Sequence, residues 1–168
     1  MKTGIKEKKS TSTSNKELKL YVRNLPRGKT LKVSEISYPY VLKDKILVAN
    51  AVKRGVTNNL FEEIKSNSPF DDLQWSKFLD VNIRTLQRYK SSKDHIYKPL
   101  QSERIFELAE IVSAGKLIFD TDEQFKIWLV TPNLALGKER PINLLDSSYG
   151  KELVLAELNR IEHGVFVV

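Results

Sequence analysis

The chain has 168 residues, 40% of them hydrophobic, no cysteine, and a formal net charge of +7. That length allows one ordinary domain or two small ones with a real core. The missing cysteines exclude disulfides, thiolate metal sites and cysteine nucleophiles, and suit a reducing compartment.

No apolar run approaches the roughly 20 residues needed to span a bilayer. The N-terminus is charged but lacks the apolar stretch of a secretory signal, so a soluble, cytoplasmic protein without membrane contact is expected. The charge is unevenly placed. Residues 1–32 hold 10 Lys/Arg against 2 Asp/Glu, and the other 136 hold 18 against 19. The basic pI therefore describes the N-terminal segment and does not by itself argue for DNA binding by the folded part.

Residues 1–19, rich in Lys, Ser and Thr, offer almost nothing to bury, and a flexible basic arm is expected over residues 1–35. It either solubilises the chain or adds contacts to DNA phosphates. The sequence Gly28–Lys29–Thr30 is not a phosphate loop, because Arg23 stands where the upstream glycine is required.

From Lys43 the pattern turns helical, with Ile46, Leu47, Asn50 and Ala51 on one face and a stop at Gly55. Thr57 or Asn58 can cap a second helix carrying Leu60, Phe61 and Ile64, broken by SNSP at 66–69. Asp71 or Asp72 then caps a helix with Leu73, Phe78 and Leu79 as its apolar positions. A tight turn is predicted at 80–82, where Asp80 tolerates left-handed geometry better than most residues.

Asn82 can cap the next helix, with Leu86 and Tyr89 pointing inward and Ile83, Arg84, Gln87 and Arg88 outward. Thr85 lies near its start. This is the composition of a major-groove reader: arginine pairs with guanine, glutamine with adenine, and Asn82 or Thr85 with phosphate. Residues 84–98 carry five positive side chains and one negative. A helical hairpin with a merely solvated face remains the competing reading.

Ser102 can cap a long helix whose stripe is Ile105, Leu108, Ala109 and Val112. Gly115 is expected to close or kink it, and Asp120 with Glu123 resembles a capping box. Phe125, Trp128 and Leu129 share the inner face of the following helix, so Trp128 is expected as core. Pro132 ends that helix and pushes Thr131 into extended geometry. Asn133 and Gly137 suit a turn, Pro141 opens a short helix carrying Ile142, Leu144 and Leu145 inward, and Ser147 caps the last helix. That helix is expected to end at His163–Gly164. An apolar segment, Val165–Phe166–Val167–Val168, follows, and it either folds back or docks on a partner.

Two segments together carry a family resemblance. WL-x-TPN-x-ALG-x-x-x-P-x-x-LL followed by G-x-x-x-V-x-x-x-L-x-RIEHGV resembles the C-terminal toxin-binding domain of the Xre/MbcA/ParS antitoxins. The likeness extends over residues 36–166 and includes RTLQRYK and LQSERIFELAEI. At Lys138 the chain departs from the family, which often has a second glycine there.

The resemblance implies an all-α protein with three parts: the arm (1–35), an Xre-like helix-turn-helix domain (36–118) and a small helical toxin-binding domain (119–168). It implies an antitoxin that occludes a RES-domain, NAD+-consuming toxin and represses its own operon as a homodimer on operator DNA. The DNA contacts implied are Asn82, Ile83, Arg84, Thr85, Gln87 and Arg88. The toxin contacts implied are Asn133, Leu136, Lys138, Arg140, Glu162, His163, Gly164, Val165 and Phe166.

Catalysis finds little support. His95 and His163 are the two histidines, and no His/Asp/Glu spacing matches a metal motif. The pairs Glu62–Glu63 and Asp71–Asp72 are neighbours that face apart on a helix, as solvated charges or caps do. No catalytic residue, metal, cofactor or small-molecule substrate is expected. The rival function is a stand-alone transcription regulator whose C-terminal domain only dimerises.

Overall fold

Side-chain caps and prolines set most of the helix boundaries in this chain. The computed structural model describes residues 15–164, which are all-α. The helices are α1 (Lys16–Arg23), α2 (Tyr38–Lys43), α3 (Lys45–Arg54), α4 (Asn58–Ser66), α5 (Asp72–Phe78), α6 (Ile83–Ser91), α7 (Pro99–Ile118), α8 (Asp122–Val130) and α9 (Ser148–Glu162). Short 3₁₀ turns join them at Arg27–Thr30, Val33–Glu35, Leu134–Leu136 and Pro141–Leu144. Among the described residues the one extended pairing is an antiparallel bridge between Thr57 and Ile96.

Thr57, Asp71, Asn82 and Ser147 each accept a hydrogen bond from a first-turn backbone N–H of the helix they precede. Gly55 ends α3, and Leu60, Phe61 and Ile64 are buried on α4. On α3 the core takes Leu47 and Ala51, whereas Ile46 is exposed; on α5 Phe78 and Leu79 are buried, whereas Leu73 is exposed.

The N-terminal expectation needs correction. Residues 1–14 lie outside the described residues, but from Lys16 the chain is helical and buries Leu18, Tyr21 and Val22. Its free amides are satisfied from another helix: Glu17 N–H and Leu18 N–H donate to the Glu63 carboxylate at 2.7 and 3.3 Å. Tyr21 Oη lies 2.9 Å from Ala51 O and 2.8 Å from Gly55 O. Burial pushes this phenol up to about 12, against the opposing pull of Arg54. Residues 16–23 therefore belong to the folded body, and Glu63 is a remote cap, not a solvated charge.

Three boundaries differ from the sequence pattern. α7 begins at Pro99, whose fixed φ suits a first helical position. Ser102 is thus inside the helix and fully buried, its hydroxyl accepting from Val56 N–H (2.8 Å) and donating to Tyr97 O (3.1 Å). Gly115 neither closes nor kinks α7. The ring of Phe125 packs 2.3 Å from where its Cβ would stand, so any other residue here has to displace that buried ring. The box before α8 is shifted by one residue: Thr121 accepts from Gln124 N–H, and the Gln124 side chain accepts from Asp120 N–H.

α7 is the axis of the molecule. One side meets α2 and α3, another meets α9, and a single buried cluster runs from Leu18 to Leu158. Beyond the predicted stripe, Phe106 and Ile111 are also buried, as expected for a helix covered nearly all round. Lys151 of α9, almost wholly buried, pairs with Glu107 of α7 at 2.7 Å.

Candidate functional site

Two surfaces gather the residues singled out by sequence. The first is the α5–α6 hairpin. Asp71 and Gln74 exchange side chain-to-backbone hydrogen bonds (2.8 and 2.9 Å), which fixes the start of α5. Trp75 is fully buried between Phe61 (ring centroids 5.1 Å) and Phe70 (5.9 Å) and donates its indole N–H to Ser68 Oγ at 3.1 Å.

The turn closes through Asp80 N–H to Lys77 O and Val81 N–H to Ser76 O, with Asp80 at φ +53°. Asn82 Oδ1 then accepts from Arg84 N–H at 2.9 Å. Arg104 of α7 donates to Phe78 O (3.3 Å), tying the hairpin to the central helix.

α6 is held by Leu86, which is buried, and by Tyr89, whose ring stacks on His95 at 3.5 Å and 12°. His95 in turn meets Tyr97 edge-on at 4.8 Å. Burial, and then the Arg88 charge, lower the His95 pKa below its ordinary value. On the outer face Asn82, Arg84, Gln87 and Arg88 are exposed, while Ile83 and Thr85 are half-buried. The Asn82 carbonyl oxygen is already used as the cap, so its role is first structural. The result is a fixed helix with two guanidinium groups and one amide directed at solvent.

The second surface is the loop between α8 and α9 with the end of α9. Thr131 is extended (φ −90°, ψ 129°), as Pro132 requires. Asn133 knits the loop. Its N–H donates to Glu139 O, its carbonyl accepts from Leu136 and Lys138 N–H, and its Oδ1 accepts from Ala135 N–H at 2.8 Å. Its Nδ2 reaches Glu157 Oε1 of α9 at 3.4 Å.

Gly137 and Lys138 both have positive φ (69° and 67°), and Glu139 N–H donates back to Leu136 O. Two central residues in this region define a type I′ turn. Below the loop, Pro141 and Leu145 are buried and Ile142 and Leu144 half-buried. Gly150 lets the loop rest on the first turn of α9: a Cβ there would stand 1.9 Å from Leu144 O.

Of the predicted loop residues, Lys138 and Arg140 are exposed, Asn133 is half-buried and engaged inside the loop, and Leu136 is buried. The apolar side chain that the loop offers to solvent is Leu134, 70% exposed. It went unmarked because neighbouring leucines look alike in sequence until the turn decides which one points inward. Ile127 and Val130 on α8 are exposed as well, and Trp128 is half-buried against Phe119 and Phe125.

Glu162, His163 and Gly164 are exposed at the end of α9; His163 Nδ1 lies 2.7 Å from Asn159 O. Val165 and Phe166 lie outside the described residues. The Asn133–Glu157 contact anchors the loop five residues before Glu162, about 8 Å along a helix axis. Among the described residues no group of three or more His, Asp or Glu side chains could hold a metal ion. No helix among them is long and apolar enough to cross a membrane.

Comparison with known proteins bears on the second surface. Residues 114–164 match the family model described as "Antitoxin Xre/MbcA/ParS C-terminal toxin-binding domain". The chain is 26% identical over 121 residues to "Antitoxin Xre" of Yersinia enterocolitica, covering 71% of this chain and 81% of that protein. It is 27% identical over 124 residues to the "Prs ADP-ribosylating antitoxin" of a Sphingobium species, covering 68% and 77%. Its fold is similar to that of a chain in the crystal structure of the M. tuberculosis MbcT–MbcA toxin–antitoxin complex. The TM-score is 0.51 at 21% identity, covering 64% of this chain and 94% of that one.

Proposed function

Because residues 114–164 match the model of the Xre/MbcA/ParS antitoxin C-terminal toxin-binding domain, we propose that this chain is the antitoxin of a toxin–antitoxin pair. Its partner is a RES-domain toxin that consumes NAD+, and it neutralises that toxin by occlusion. The observation that carries this reading is the Asn133–Glu157 link, which holds the loop next to the last turns of α9 inside the family-matched region. Lys138, Arg140 and Leu134 then form one lip of the contact surface. Glu162, His163 and Gly164, with Val165 and Phe166 after them, form the part that enters the toxin's substrate opening. Apolar anchors flanked by charges supply affinity and orientation in such interfaces.

The same chain binds operator DNA through α6, with Arg84, Gln87 and Arg88 reaching base edges and Thr85 and Asn82 near the phosphates. Paired half-sites call for two copies of α6, hence a homodimer. Support comes from the exposure of Asn82, Arg84, Gln87 and Arg88 on a helix held by Leu86 and Tyr89, in a hairpin tied to α7 by Arg104.

Co-expression with the product of the neighbouring reading frame, expected to be a RES-domain protein, tests the reading. A complex that co-purifies, and cells that survive toxin induction, are expected. Deleting residues 164–168 is expected to abolish protection while leaving the helical circular-dichroism spectrum intact. Full protection by the truncated chain refutes occlusion. Operator binding without any toxin association leaves a stand-alone regulator.

A further inference from the structure

The solvent face of α9 carries a pattern that neither the core nor the toxin-facing end uses. Tyr149 is 85% exposed and Leu153 55% exposed, and Ala156 is exposed as well. With Arg160 they fall at spacings of four, three and four residues, the 4-3 alternation that lines one helix against another. This stripe lies opposite the buried positions Lys151, Val154 and Leu158 of α9. Tyr149 and Leu153 are neighbours four residues apart on this face, so their exposed side chains form one continuous apolar patch.

The stripe is complementary to itself when reversed. In an antiparallel pair centred between Leu153 and Ala156, each Leu153 meets the partner's Ala156, a large side chain against a small one. Each Tyr149 ring meets the partner's Arg160, a favourable cation–π arrangement. Arg160 is held on α9 by an ion pair with Glu157 one turn earlier, so its guanidinium is pre-positioned. Glu152, exposed beside the stripe, comes within reach of the partner's Arg160 and Asn159. A parallel pair would instead set Arg160 against Arg160.

We propose that α9 pairs antiparallel with α9 of a second copy through Tyr149, Leu153, Ala156 and Arg160. The contact is isologous, as a two-fold dimer requires. It leaves residues 162–164 beyond the start of the partner's helix, free for another protein. One helix pair is smaller than the roughly 800 Å² per partner of a standard interface, so the dimer is weak and concentration-dependent. This deepens the homodimer part of the proposed function and rests on it.

The chain lacks cysteine, which makes the test clean. Full-length protein carrying Leu153→Cys and Ala156→Cys is expected to form a covalent dimer on mild oxidation, and protein carrying Lys126→Cys is not. Sedimentation velocity over a concentration series should show Leu153→Glu raising the dimer dissociation constant by about tenfold or more. Its circular dichroism should stay unchanged, because the side chain is exposed.

The proposal is overturned if the double-cysteine protein does not cross-link, or if Leu153→Glu self-associates like the parent. It is also overturned if the parent is monomeric throughout. Binding of single operator half-sites by Leu153→Glu, measured in parallel, separates loss of the seam from loss of the α6 surface.

Discussion

The phenol of Tyr38 donates to Glu63 Oε1 at 2.7 Å, on the same carboxylate that receives the first amides of α1. Burial and then Glu63 itself push the Tyr38 pKa well above its ordinary value, so this proton stays in place at any physiological pH. One side chain thus joins α1, α2 and α4. Glu63→Ala is expected to lower the unfolding free energy by about 2 kcal/mol, the scale of lost hydrogen bonds to a charged group. Amide exchange in α1 should accelerate far more than in α7. Equal protection of α1 in parent and variant contradicts the capping role.

Lys138 adopts φ +67° without the freedom of glycine. Left-handed geometry costs about 1 kcal/mol for a residue bearing a Cβ, partly offset by the entropy glycine adds to the unfolded chain. Lys138→Gly should therefore raise stability modestly, by up to about 1 kcal/mol, or about 2–4 °C in Tm for a chain of this size. Lys138→Val, branched at Cβ, should lower it. A thermal melt of the two variants decides. If Lys138 also contacts the toxin, the glycine variant gains stability and loses affinity together.

Arg84→Ala and Arg88→Ala should each weaken operator binding by about 1–3 kcal/mol if the arginines read bases. Both side chains are exposed, so unfolding should be unchanged. Gel shifts or fluorescence anisotropy at fixed salt provide the comparison. Parent-like affinity in both variants removes α6 as the reading helix.

His95 gives the packing of α6 a pH dependence. Its folded pKa lies below the ordinary value of about 6.5, so the neutral ring is the one the fold prefers. The associated stability is complete above that ordinary value and is lost as pH falls and the unfolded chain takes up the proton first. Denaturant titrations should show a decline below about pH 6.5 that His95→Phe flattens. The slope is absent from the parent if His95 is not stacked beneath Tyr89.

Gly150→Ala should loosen the seat of the loop, because the new methyl must displace the Leu144 carbonyl. Forced overpacking of this kind costs about 1–3 kcal/mol. Loss of toxin capture ahead of global unfolding, followed by calorimetry and pull-down, is the expected signature.

Most local signals of the sequence recur in the structure, those at Ser102, Gly115 and Asp120 excepted. The caps at Thr57, Asp71, Asn82 and Ser147 act on residues two or three positions away, and Pro132 acts on its immediate neighbour. Asp80 turns left-handed for reasons internal to itself. What escaped was decided at long range. α1 stands in a lysine-rich stretch and is satisfied by Glu63, some 46 residues on.

Tyr97, among the largest fully buried side chains, stands between Ile96 and Lys98 in the segment joining α6 to α7, where no helical period marks it. In the candidate loop the turn residues were legible. Which leucine faces outward, and whether Asn133 reaches a partner or its own backbone, required the folded chain.

α7 runs unbroken from the hairpin-facing Arg104, past Glu107 against α9, to Gly115 beneath Phe125. The family-matched region begins at residue 114, inside that helix. Swapping C-terminal halves among relatives is therefore a phasing problem. One residue inserted between 104 and 115 turns everything downstream by about 100° and slides it by about 1.5 Å. Hybrids keep both surfaces in their mutual orientation only when the splice conserves length through this rod.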